Sequence, residues 1–144
     1  MNFDAPRSVA LEIPSRLDCI EFIGESLRVL CPLAGFSEAE SYRIELGVIE
    51  ALNNVVEHAY EFQPDASVQV RLTFQPDQLL IEIRDEGKPR PGNLSNTFTF
   101  DSEVVDTWPE GGMGLFIMHE VMDRITYERT DGVNRLTLIK SIPW

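Results

Sequence analysis

The chain is short of cationic side chains, of cysteine and of long apolar runs, and each shortage removes a class of protein. Twelve Lys and Arg stand against 24 Asp and Glu, for a net charge of −12. A surface this acidic repels phosphate backbones at long range and argues against nucleic acid as the main ligand. A basic protein surface suits it better. The two cysteines, Cys19 and Cys31, lack CxxC or CxxxH spacing, so neither a disulfide framework nor a zinc site is indicated, and free, partly buried thiols are expected. No stretch approaches the roughly 20 apolar residues that span a bilayer. Met1-Asn2-Phe3-Asp4 also lacks the basic and hydrophobic regions of a secretory segment. The expectation is a soluble, cytoplasmic protein.

What is present fits one domain over residues 1–144, with no internal repeat. A chain of this size buries roughly 70% of the surface it exposes when unfolded, enough to fold without a staple. Ser8 to Ile13 alternates as a first strand, and Arg16 to Leu30 keeps helical spacing through Leu17, Ile20, Ile23, Leu27 and Leu30, with Pro32 and Gly35 ending the helix. Ser37 followed by Glu40 is a capping-box signature for a second helix running to about Tyr60. Its apolar half, Ile44, Val48, Ala51, Leu52, Val55, Val56 and Ala59, should lie on a sheet, while Glu50, Asn54, Glu57 and Glu61 share the other half. Val68 to Phe74 and Leu79 to Arg84 read as a hairpin around Gln75-Pro76-Asp77-Gln78. Ile125 to Arg129 and Arg135 to Ile139 read as another around Asp131-Gly132, preceded by helical spacing from Gly114 to Asp123. Between them, 88–110 is rich in Pro, Gly, Asn, Ser and Thr; so long a connection in a compact domain is usually functional or mobile, and a lid is expected there.

Three short segments carry the chemistry. Glu50 and Asn54 stand one helical turn apart and can reach one site together, the amide as a neutral oxygen for magnesium, the carboxylate as an acceptor for a proton. Asp85 ends a strand two residues before Gly87, so a carboxylate can accept from an exocyclic amine while the glycine admits a flat ring. Gly111-Gly112-Met113-Gly114 opens a helix, where unhindered N–H groups favour phosphate, and no Walker lysine accompanies them. Taken singly, each has an ordinary alternative: a solvated helix face, a turn, a helix entry. Together, and in this order, they read as an ATP-binding pocket.

In combination, Glu50-xxx-Asn54, Asp85-x-Gly87 and Gly112-x-Gly114 resemble the N, G1 and G2 boxes of the GHKL ATPases. Within that superfamily, Glu50-Ala-Leu-Asn-Asn-Val-Val-Glu-His-Ala-Tyr60 and Glu110-Gly-Gly-Met-Gly-Leu-Phe-Ile-Met118 look like the anti-sigma serine protein kinases of the RsbW and SpoIIAB type, over nearly the whole chain. The resemblance implies a Bergerat fold, an α/β (α+β) two-layer sandwich in which helices cover one face of a mixed, mostly antiparallel sheet. It implies Mg-ATP as cofactor, a serine on a small STAS-domain antagonist as substrate, and sequestration of a sigma factor or other regulator, often as a homodimer. Carried over by position, Glu50 would be the catalytic base, Asn54 the magnesium ligand, Asp85 the adenine contact and Gly87 its close neighbour, with Gly112, Met113, Gly114 and Leu115 cradling phosphate. His58 matches the usual box ending, and a packed or solvent-facing histidine fits the position equally well.

Two departures stand out. The second glycine of the G1 box is replaced in Asp85-Glu86-Gly87-Lys88-Pro89, and the threonine that often supports the adenine aspartate has no clear counterpart around Gly132-Val133-Asn134-Arg135, where Asn134 is the candidate to substitute for it. The rival to the kinase is a module that holds ATP and grips a regulator but transfers phosphate weakly or not at all. A sensor histidine kinase fragment would need a dimerising helical domain, and gyrase-like enzymes a transducer domain.

Overall fold

The structure, a computed structural model, describes residues 5–89, 97–101 and 118–143. Its strands are β1 (Arg7–Pro14), β2 (Ser67–Phe74), β3 (Gln78–Asp85), β4 (Thr97–Asp101), β5 (Arg124–Thr130) and β6 (Val133–Ser141), and its long helices are α1 (Ile20–Leu33) and α2 (Glu38–Asn54). The six strands form one sheet in the order β1-β2-β3-β6-β5-β4, and every described pairing is antiparallel. Alternation sorts the side chains as expected of a sheet covered on one face. Val68, Val70, Leu72, Ile81, Ile83, Leu136 and Leu138 are buried toward the helices, whereas Gln69, Arg71, Arg84 and Arg135 face outward. Ile23 and Leu27 of α1, Ile44, Val48 and Leu52 of α2, and Met118 and Met122 complete the core. This is the two-layer α/β sandwich anticipated from the sequence.

Both helices are bounded by local chemistry. A 3₁₀ turn, Leu17–Cys19, precedes α1, which continues through Pro32 rather than ending there. What stops it is Gly35, at φ +107, a torsion that glycine takes without a Cβ penalty; the N–H of Phe36 then reaches back to the Cys31 carbonyl at 3.2 Å. Ser37 caps α2 as expected, its Oγ accepting from the Glu40 N–H at 3.1 Å. Along their contact, Gly24 of α1 leaves room for Glu45 of α2, which is only 5% exposed and takes a 2.8 Å hydrogen bond from Arg28 Nε.

The second helix does not keep its pitch to Tyr60. Val55–Ala59 forms a wider π turn, closed by the Tyr60 N–H on the Val55 carbonyl at 2.9 Å, and Glu61 and Phe62 follow with φ of 49° and 63°. The widening leaves the Ala59 carbonyl to a partner outside the helix, the Lys88 N–H at 2.8 Å. Sequence spacing also misses β4, which lies inside the 88–110 stretch and pairs with β5. Its Thr-Phe-Thr-Phe repeat is a short strand pattern hidden among turn-forming residues. Both cysteines are free, Cys19 partly buried and Cys31 fully so; burial, with the charge of Glu45 adding to it, pushes the Cys31 thiol up to about 12. Among the described residues no helix is long and apolar enough to cross a membrane.

Candidate functional site

The site is built where the ends of α2, β3 and β6 meet. Asp85 is the last residue of β3, 6% exposed, and register places it opposite Asn134 of β6. Its Oδ1 accepts from the Gly87 N–H at 2.9 Å and from Asn134 Nδ2 at 2.8 Å. One donor comes from its own turn and the other from the neighbouring strand, so the plane of the carboxylate is fixed from two directions.

Gly87 is required by contact rather than by torsion. A Cβ added there would lie 2.4 Å from the Ala59 carbonyl oxygen and 2.6 Å from its carbon, while its φ is outside the left-handed range. The close approach at this glycine is to the backbone of Ala59, in the π turn that follows α2, and not the approach to a flat ring for which the sequence suggested it. Tyr60 fastens the same junction: its hydroxyl accepts from the Glu86 N–H at 2.7 Å and donates to the Ser67 carbonyl at 2.9 Å. Burial, countered by the Glu86 N–H and reinforced by the charges of Asp85 and Glu86, pushes the phenol up and keeps it a donor.

Glu50 and Asn54 are half-buried on α2. Arg43, Gly47, Glu50 and Asn54 occupy positions i, i+4, i+7 and i+11, a single stripe of the helix. The first two members locate that stripe. Arg43 Nη2 donates to the Glu120 carbonyl at 3.2 Å, and a Cβ on Gly47 would meet Met122 Cε at 3.4 Å. At Arg43 and Gly47 the stripe thus turns toward the helical residues 118–121, and α2 leads on to the π turn whose Ala59 carbonyl takes the Lys88 N–H. Gly112, Met113, Gly114 and Leu115 lie outside the described residues, as does the segment 102–110; the chain re-enters at Met118 on this stripe's side of α2.

Two residues that motif reading left unassigned, Tyr127 and Arg129, organise the site together with Asn134, the candidate to stand in for the threonine. Tyr127 and Arg129 from β5 donate to Asn134 Oδ1, at 2.7 Å from the hydroxyl and 2.6 Å from Nη1. Asn134 Nδ2 in turn donates to Asp85 Oδ1 and to the Lys88 carbonyl, the latter at 2.9 Å. The two-residue turn at Asp131-Gly132, with φ of 53° and 79°, sets Arg129 opposite Asn134 and is legible in the sequence. The pairing of β3 with β6, which brings the group to Asp85, carries no local signal. His58 is exposed, with Nε2 4.0 Å from Glu57 Oε2. A cavity of about 440 Å³ bordered by Glu12, Arg71, Glu82, Arg84 and Arg135 lies on the uncovered face of the sheet, across from this site.

Known proteins are similar to this chain in sequence and in fold. The chain is 26% identical over 136 residues to the serine-protein kinase RsbW of Bacillus subtilis (strain 168), covering 87% of this chain and 80% of that protein. It is 27% identical over 139 residues to the RsbW of Staphylococcus epidermidis, covering 93% and 86%. Among solved structures, the RsbU and RsbW domains of Rv1364c from Mycobacterium tuberculosis superpose with a TM-score of 0.61 at 15% identity, covering 95% of this chain and a smaller 33% of that one. The histidine kinase domain of Erythrobacter litoralis EL346 does so with a TM-score of 0.57 at 17% identity, covering 90% and 62%. Residues 13–140, which hold both helices, the Asp85 turn and Asn134, match the histidine kinase-like ATPase domain, and the chain belongs to that family.

Proposed function

We propose that this chain is an ATP-dependent serine protein kinase that phosphorylates a STAS-domain anti-anti-sigma protein and so governs a sigma factor or another regulator by partner switching. The observation that carries the reading is the immobilised Asp85–Gly87 turn. A buried acceptor, held by donors from two elements, stands at the end of the helix that carries Glu50 and Asn54. Similarity to proteins named serine-protein kinase RsbW supports the reaction class.

In this reading Asp85 accepts from the exocyclic amine of adenine, Gly87 keeps the turn against α2, and Gly112, Met113, Gly114 and Leu115 offer backbone N–H groups to the phosphates. Glu50 takes the proton of the substrate serine as its oxygen bonds to the γ-phosphorus and the bond to the ADP oxygen breaks. Asn54 fits magnesium as a neutral oxygen on the same stripe as Glu50, leaving the carboxylate to its proton. The metal, when bound, offsets charge on the phosphates.

Incubation with Mg-ATP and STAS-domain proteins from the same genome, read by intact mass, tests this. One added phosphate on serine is expected, with the rate reduced on the order of 10²–10⁴-fold by Glu50→Gln. ATP binding and complex formation without transfer to any such protein would leave the nucleotide-dependent binding module as the function. Absence of ATP binding would overturn the site.

A further inference from the structure

Of the 12 cationic side chains in the whole sequence, three gather around one place on the uncovered face of the sheet. Arg84 of β3 and Arg135 of β6 are partners in register, and Arg71 of β2 stands diagonal to Arg84; all three are exposed. Like charges set directly opposite each other weaken a sheet. The neighbouring carboxylates do not relieve this. Glu12 and Glu82 lie on the same face and Glu128 stands opposite Arg135, yet none of them comes within 4.0 Å of these guanidiniums, and Glu128 accepts from Thr130 Oγ1 at 3.2 Å instead. Among the described residues, then, Arg71, Arg84 and Arg135 have neither an ion pair nor a side-chain hydrogen-bond partner. Asp85 and Asn134, the next pair in register on β3 and β6, are buried on the helical side, so the arginines stand apart from the site described above.

The three guanidiniums border the cavity of about 440 Å³, together with Glu12, Gln69 and Glu82. We infer that this cavity is a binding site for a small multivalent anion, bearing phosphate or carboxylate groups, which Arg84 and Arg135 grip from neighbouring strands and Arg71 from the side. A guanidinium presents paired N–H donors that match two oxygens of a carboxylate or phosphate, so two such forks on one group turn a mutual repulsion into a shared attraction. Glu12 and Glu82 can only accept, which suits hydroxyl groups on the same ligand. The volume fits this class of occupant, since small-molecule sites span roughly 300–1,000 Å³. A second copy of the chain fits less well: packed here about a two-fold axis through the cavity, it would set each arginine near its own counterpart. The inference stands independently of the nucleotide reading.

Thermal melts of the full chain in magnesium-free buffer, with pyrophosphate or citrate replacing sodium chloride at equal ionic strength, test the inference. An anion present at about ten times its Kd should raise the Tm by about 3 °C. A response to pyrophosphate alone assigns a phosphate ligand, and a response to citrate alone a polycarboxylate. Arg84→Gln and Arg135→Gln should each lose most of the shift, whereas Arg124→Gln, on the same face but outside the cavity's border, should keep it. In sodium chloride alone neither Arg84→Gln nor Arg135→Gln should lower the urea midpoint, because each removes a repulsion and no described contact. A lower midpoint there would make these arginines structural groups and overturn the inference. So would a wild type that neither anion stabilises, or a shift that survives both substitutions, the mark of binding elsewhere, the proposed nucleotide pocket included. Light scattering excludes the other occupant: a dimer that Arg135→Gln dissociates would show the face covered by a second copy and would likewise overturn the inference.

Discussion

Replacing Gly87 by alanine isolates the contact that holds the site to α2. The added Cβ would sit 2.4 Å from the Ala59 carbonyl oxygen, where ordinary contact begins at 3.4 Å, so the groups must separate by about 1 Å. The obstacle is backbone and no side-chain rotation relieves it. Moving the turn by that much stretches the Lys88 N–H bond to Ala59 from 2.8 Å to about 3.8 Å, beyond hydrogen-bonding distance. Overpacking of this kind costs about 1–3 kcal/mol, and the lost hydrogen bond about 1 kcal/mol more, so Gly87→Ala should destabilise by about 2–4 kcal/mol. Urea unfolding reads this as a lower midpoint with an unchanged slope. Gly132 is the control: its φ is +79° and nothing lies within 4 Å of an added Cβ, so its cost is torsional, about 1 kcal/mol, and asparagine should recover much of it. Asparagine at 87 should recover nothing. A Gly87→Ala protein that unfolds at the wild-type midpoint, or is rescued by asparagine, would refute the steric account.

Two further outcomes follow from buried charge. Arg28→Ala leaves the Glu45 carboxylate without its 2.8 Å donor between α1 and α2, and because the Arg28 side chain is itself exposed the protein should be destabilised only moderately. Adding Glu45→Gln should return part of the lost stability in a urea-unfolding double-mutant cycle, and strictly additive losses would count against a coupled pair. Burial lowers His119 to about 4, so between about 4 and its ordinary 6.5 the unfolded chain binds a proton that the native chain does not. Stability therefore rises with pH across that window; acidification from pH 7.5 to 4.5 should cost the wild type roughly 1–3 kcal/mol more than it costs His119→Gln, measured by urea midpoints. Equal losses would show that His119 does not titrate within that range.

The sequence discloses those parts of the molecule that depend on near neighbours. Ser37 with Glu40, the Asp131-Gly132 turn and the alternation of β2, β3, β5 and β6 are local torsional and hydrophobic signals, and each element forms where they place it. Glu50 and Asn54 lie on one stripe, and Asp85 ends its strand buried, for the same reason. What escapes is what distance in the chain conceals. The π turn at Val55–Ala59 and the need for glycine at 87 are two sides of one contact between residues 28 apart in sequence, and neither partner announces the other. The threonine sought near the last hairpin is not there; Asn134, which the sequence offers in its place, stands opposite Asp85 and bonds to it, a pairing that the β3–β6 register establishes. Pro32 misleads in the opposite way, because a proline in the last turn of a helix is tolerated when a following glycine supplies the stop.

The seam between β3 and β6 also orders events as the chain folds. The bonds from Tyr127 and Arg129 to Asn134 span seven and five residues within a hairpin, whereas the bond from Asn134 to Asp85 spans 49. Local hairpins close in microseconds, while pairings that enclose long loops wait on a larger entropic search. The hairpin that carries the amide is therefore expected to form ahead of the seam, so that substitutions at Tyr127 should slow folding more than substitutions at Asp85 of equal cost.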